Sequence, residues 1–141
     1  MTKRLVALLL FAAAAPVLGQ SLEPGEWEFT STQSLPSMPN ARSMTFTQCI
    51  KKEDAQNPEK LAAQAEKSGC KVTETKKSGD SVSWEMECPK MNMRGVGTAR
   101  IGRGTMESQM TMSGEMKGQK YEMTTRTTAR RLGPCKAGNS E

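Results

Sequence analysis

The chain has no histidine, and its aromatic residues are limited to two Trp, one Tyr and three Phe among 141 residues. Without His there is no Ser-His-Asp triad, no Cys-His pair, no imidazole acid or base and no imidazole metal ligand. No Cys-x-x-Cys occurs, no nucleophile sits in a Gly-x-Ser-x-Gly elbow, and no Gly-rich phosphate loop leads into a helix. The sequence therefore reads as a non-enzyme with no catalytic residues and no cofactor. Branched and aromatic apolar residues are also scarce: residues 20–141 hold only eleven Leu, Ile, Val or Phe. That proportion is usual in disordered chains. Four Cys and eleven Met are what the sequence offers instead.

The start of the chain predicts a cleavable export signal. Lys3 and Arg4 supply a positive beginning, and the apolar run from Leu5 to Ala15 is too short to span a bilayer. Val17 and Gly19 at the small-residue positions favour cleavage before Gln20, giving a signal over 1–19 and a single domain over 20–141. Cys49 is the first cysteine, so no lipid-modified Cys follows the cut, and the product is expected to be periplasmic or secreted and not membrane-spanning. Export also removes nucleic acid as a partner. Losing Lys3 and Arg4 leaves 18 basic against 15 acidic residues, or +3, too low a charge to enforce disorder. An even number of Cys in an exported chain predicts two disulfides, which small domains with poor cores commonly need.

A two-residue alternation runs through most of the mature chain. Trp27 and Phe29 share one side of Glu26–Gln33, and Met44, Phe46 and Ile50 share one side of Met44–Ile50; Pro36, Pro39 and Asn40 mark a loop between these two strands. Asn57-Pro58 predicts a helix start, Leu61, Ala62 and Ala65 its weak apolar stripe, and Gly69 its end. Three hairpins follow. A three-residue loop at Ser78-Gly79-Asp80 sets Cys70 opposite Cys88, Val72 opposite Met86, Glu74 opposite Trp84 and Lys76 opposite Val82. A two-residue loop at Arg103-Gly104 sets Met106, Met110 and Met112 opposite Ile101, Gly97 and Gly95. A loop at Gly118-Gln119 pairs Met116 with Tyr121, Gly114 with Met123 and Met112 with Thr125. In each case the apolar faces coincide, the condition a one-residue slip would break. The expected fold is mainly β (a β-rich α+β chain): a curved antiparallel meander sheet or partial barrel of about seven strands, with one short helix. Gly95, Gly97 and Gly114 on the apolar face predict bends or close approaches. Cross-strand opposition favours the disulfide Cys70–Cys88, which leaves Cys49–Cys135.

The order Gly25-x-Trp27-Glu28, Thr47-Gln48-Cys49, an acidic Pro-containing helical stretch, Cys70, Val82-Ser83-Trp84 before Cys88, and Gly133-Pro134-Cys135 resembles a family of small exported proteobacterial proteins catalogued as domain of unknown function 3617. The resemblance covers about Gly25 to Cys135. It implies export, the four-cysteine pattern and a β-rich fold, and it implies no activity.

Methionine is the unusual component. Met91, Met93, Met110 and Met112 form two Met-x-Met pairs whose thioethers suit Cu(I) or Ag(I), but an M-x-M pair on the core face of a strand is better accounted for as filling gaps beside glycine. The metal reading is kept as the alternative. Arg94, Arg100, Arg103, Arg126, Arg130, Arg131 and Lys136 gather late in the chain among Glu107, Glu115 and Glu122, as on a solvated sheet face. Glu26, Glu28, Glu85 and Glu87 are expected to face solvent. Glu74 is the one carboxylate on the apolar face, and so the only support for carboxylate catalysis. The leading expectation is a non-catalytic binding module for a small apolar ligand or an envelope protein; the sequence leaves its oligomeric state open.

Overall fold

The computed structural model describes residues 22–56 and 66–136. The predicted signal at 1–19 and the predicted helix positions Asn57, Pro58, Leu61, Ala62 and Ala65 lie outside the described residues. Seven strands form one antiparallel sheet: β1 (Gly25–Leu35), β2 (Met38–Ile50), β3 (Lys71–Ser78), β4 (Ser81–Cys88), β5 (Met93–Gly102), β6 (Thr105–Met116) and β7 (Gln119–Gly133). Their spatial order is β2-β1-β7-β6-β5-β4-β3, so the sheet is unclosed and β2 and β3 are its edges. The last strand returns to pair with the first, which places the β1–β2 hairpin beside the β3–β7 meander.

Local chemistry explains the turns. Lys117 and Gly118 both have positive φ, 53° and 75°, as a type I′ hairpin turn requires. The turn thus precedes the expected Gly118-Gln119 position by one residue, and Met112 pairs with Met123, Gly114 with Tyr121 and Met116 with Gln119. Because the pairing moves by two, every side chain keeps its expected face. At β3–β4 the turn is the two-residue Gly79-Asp80, with Gly79 at φ 60° and Ser78 opposite Ser81. This corrects the expected three-residue loop: Lys77 meets Val82 and Thr75 meets Trp84. A bulge between Val72 and Glu74 then absorbs one residue and restores Val72 opposite Met86. The β5–β6 register agrees with expectation throughout, from Ile101↔Met106 to Gly95↔Met112.

Pro39 and Asn40 lie within β2, the turn being confined to Pro36 and Ser37. Proline is tolerated there because β2 is an edge and lacks a neighbour on one side. A short helix, α1 (Lys52–Gln56), follows β2, with Glu53 and Asp54 in its first turn where the helix dipole favours acids. Glu66 and Lys67 are helical, and Gly69 at φ 80° closes that turn with its N–H donating to the Glu66 carbonyl at 2.9 Å.

The apolar side chains lie flat on their own sheet. Met86 and Met112 cover Gly95, and the Trp84 indole covers Gly97. A Cβ on Gly114 would meet the Asn92 carbonyl and Met93, so this glycine permits a close backbone approach. Trp27 is fully buried, its indole N–H donating to the Glu23 carbonyl at 2.8 Å. The opposite face is knitted by hydroxyls, including Thr30–Thr45 at 3.1 Å and Thr111–Thr124 at 3.2 Å. Such cross-strand pairs and β-branched residues suit a half-polar sheet surface.

Candidate functional sites on the two sheet faces

Both expected disulfides are present, Cys49–Cys135 and Cys70–Cys88, and no described cysteine is free. Cys70–Cys88 lies on the apolar face in a cluster with Met112, against which Met86, Met93 and Met110 pack. Of the four methionines singled out by their spacing, Met93, Met110 and Met112 therefore come together. Met91 does not: it sits in the 3₁₀ turn Pro89–Met91 and is exposed. Met86 is the member that Met-x-Met spacing missed, and its signal was its position on the apolar face opposite Val72; in the structure it also lies opposite Gly95. Above Gly95 one point lies 2.6 Å from the Met112 sulfur and 3.2 Å from the Met86 sulfur, so these two thioethers are at most 5.8 Å apart.

Cys49–Cys135 lies on the other face. Cys49 and Gly133 are the two register partners of Glu26, on β2 and β7, so the bond from Cys135 to Cys49 bridges across β1 at that residue. Glu26 is only 4% exposed, and the Lys136 ammonium stands 3.7 Å from its carboxylate. This corrects the expectation that Glu26 faces solvent; the strap made by the chain end covers it. Glu28, two residues on, accepts hydrogen bonds from Arg130 Nε and Nη2, both at 2.9 Å.

The late basic residues are largely matched by neighbours and so form no uncompensated cationic patch. Arg131 Nε donates to the Pro24 carbonyl at 2.8 Å, and Arg126 Nε to Gln109 Oε1 at 3.0 Å. Arg94 stands 4.0 Å from Glu87, and Arg100 3.7 Å from Asp80. Glu74 is also placed differently from expectation. The two-residue turn sets it opposite Glu85, away from Trp84, where its exposed carboxylate pairs with Lys76 at 2.9 Å. That hydrogen bond and the Glu74 charge, with a smaller contribution from Glu85, raise the Lys76 pKa above 10.5. Glu74 therefore lies off the apolar face on which the sequence placed it.

Two surface features could hold a partner. An open depression of about 610 Å³ is lined on the polar face by Ser83, Thr98, Arg100, Glu107, Gln109 and Arg126 of β4–β7 with their neighbours. On the apolar face, at the β1–β2 end, Phe29 stacks on Phe46 with ring centroids 5.3 Å apart and planes 13° from parallel. Beside them Met44 is 67% exposed and Phe46 42%. Among the described residues no group of three or more Asp, Glu or Cys is arranged to hold a metal ion, and no helix is long and apolar enough to cross a membrane.

No curated protein and no solved structure matches this chain. A family model does, described as Protein of unknown function (DUF3617), and it matches residues 22–135. The match spans both disulfides and all seven strands, and the chain belongs to the DUF3617 family.

Proposed function

We propose that the protein is exported to the periplasm or the cell exterior and acts there as a non-catalytic binding module for a small apolar ligand or an envelope protein. Export is supported by the Lys3-Arg4 start with its Leu5–Ala15 run, and by four cysteines all engaged in disulfides, as oxidising compartments favour. The observation that carries the binding reading is the uncovered apolar patch of Phe29, Met44 and Phe46. Elsewhere on that face, Trp84, Met86 and Met112 cover the backbone of their own sheet, whereas this end is left open to solvent. Exposed contiguous apolar surface marks interaction sites. The test is capture from envelope extract by the mature chain and by a Met44→Ser/Phe46→Ser variant. At least a tenfold loss of the captured species in the variant is expected; equal recovery would refute the assignment of the patch.

The convergence of Met86 and Met112 over Gly95, next to Met93 and Met110, favours a second reading, a Cu(I) or Ag(I) site on the apolar face. Titration with Ag(I) decides it. Replacing Met86, Met93, Met110 and Met112 with Leu abolishes binding under this reading, whereas Met91→Leu leaves it intact. Undiminished binding by the fourfold variant rejects the reading.

A further inference from the structure

The two free edges of the sheet are built differently. β3 is eight residues long, carries exposed Lys71, Lys76 and Lys77, and is bent by the bulge between Val72 and Glu74. Short length, lysines and bulges are the devices that stop another strand from docking. β2 lacks them. It is 13 residues long and pairs with β1 from Ile50 to Arg42 without a bulge. Residues 41–48 are exposed throughout, and Arg42 is the only charged side chain between Met38 and Ile50. In an antiparallel pair, alternate residues aim their N–H and C=O groups away from the neighbour. The outer side of β2 thus carries a row of backbone donors and acceptors that no described strand pairs.

We propose that this edge is a self-association site, in which β2 pairs antiparallel with β2 of a second copy about a two-fold axis at Thr45. The strand is complementary to itself in that register. Met44 meets Phe46 of the second copy, Ser43 meets Thr47, and Arg42 meets Gln48, whose amide oxygen can accept from the guanidinium. No like charges are opposed. An axis at Met44 would set Arg42 against Phe46, and one at Phe46 would set it against Ile50. Registers between these turn the apolar face of one copy to the polar face of the other. Pairing over residues 41–49 forms roughly eight to ten backbone hydrogen bonds. It also joins the Phe29–Phe46–Met44 strip of each copy into one stripe, leaving that face open. A second copy fits this edge better than a charged partner strand, because Arg42 offers the only ionic contact along it. The proposal does not depend on the ligand reading above, since edge pairing and occupation of the face are separate events.

The test is sedimentation equilibrium of the mature, disulfide-bonded chain at concentrations up to roughly 1 mM, the range in which small interfaces associate. A reversible dimer is expected. Thr45→Lys, which brings two ammonium groups together at the axis, is expected to be a monomer with unchanged far-ultraviolet circular dichroism. Thr45→Cys is expected to cross-link to itself without reductant, whereas Thr47→Cys, whose register partner is Ser43, is not. The cysteine pair decides the matter should the lysine variant misfold. A wild-type chain monomeric throughout, a Thr45→Lys variant that dimerises like wild type, equal cross-linking by the two cysteine variants, or a 1:1 complex with a different polypeptide at this edge would each overturn the proposal.

Discussion

Replacing Gly97 by alanine should destabilise the sheet, while the same change at Gly95, one row away on the same strand, should be nearly neutral. At Gly97 the new Cβ would fall on the Trp84 indole, with Nε1 only 2.6 Å away. A rigid ring cannot yield locally and must swing off the sheet, an overpacking cost of about 1–3 kcal/mol. Alanine recovers about 0.4–1 kcal/mol by restricting the unfolded chain, so the net loss is about 1 kcal/mol and at most about 2.5 kcal/mol. At Gly95 the Cβ would meet Met112 Sδ and Met86 Cγ, each at 2.6 Å. Unbranched thioether chains can move by rotamer change, and the small strain is offset by the same entropic gain, leaving a change within about 0.5 kcal/mol. Urea unfolding with both disulfides intact, followed by circular dichroism, measures the difference. The m-value should be unchanged for both variants, and Tm should fall by roughly 4–8 °C for Gly97→Ala alone. A Gly97→Ala variant as stable as wild type, or a Gly95→Ala variant that loses more than Gly97→Ala, would refute the covering role of Trp84.

The disulfides close loops of very different length, with sequence separations of 86 and 18. Chain entropy assigns about 4.6 kcal/mol to Cys49–Cys135 and about 3.2 kcal/mol to Cys70–Cys88, so the Cys49→Ala/Cys135→Ala variant should have the lower urea midpoint of the two double variants. Lys117→Asn should raise stability by up to about 1 kcal/mol, because asparagine tolerates the φ of 53° found there better than lysine does; thermal unfolding reads this directly. Trp27→Phe removes the hydrogen bond to Glu23 and should cost about 1–3 kcal/mol in urea unfolding. The Lys76 pKa is raised by Glu74, so whatever stability the pair contributes is fully present below the ordinary lysine value of 10.5 and is lost as pH rises through the higher folded value. Nuclear magnetic resonance titration of Glu74→Gln should show the Lys76 pKa returning toward 10.5.

Local chemistry made much of the sheet legible. Arg103-Gly104 anchors β5–β6 with no bulge, and every pair expected there is found. At β3–β4 the loop is one residue shorter than Ser78-Gly79-Asp80 implied, yet the bulge beyond Val72 cancels the difference before Cys70 and Cys88 are reached. Their disulfide was therefore legible, while the facing of Glu74 was not. The return of β7 to β1 has no local signature, because pairing between residues about a hundred apart leaves no mark in a short window. Its one trace was the assignment of Cys135 to Cys49. The burial of Glu26 follows from that same strap and could not be read from alternation, which put Glu26 and Glu28 on one solvent-facing side. Methionine spacing found Met93, Met110 and Met112 but included Met91, whose placement depends on the 3₁₀ turn after Cys88-Pro89. The Phe29–Phe46 stack required the β1–β2 register, which the expected long loop through Asn40 obscured.

Native mass spectrometry of the protein, expressed as the full 1–141 sequence and purified without reductant, tests the central claim most directly. The binding-module account predicts the processed chain with two disulfides carrying the added mass of an apolar ligand or of a different polypeptide, as distinct from a second copy of the chain, and loss of that mass from the Met44→Ser/Phe46→Ser variant. Wild-type and variant chains that both fly bare, or that carry the same added mass, would contradict it.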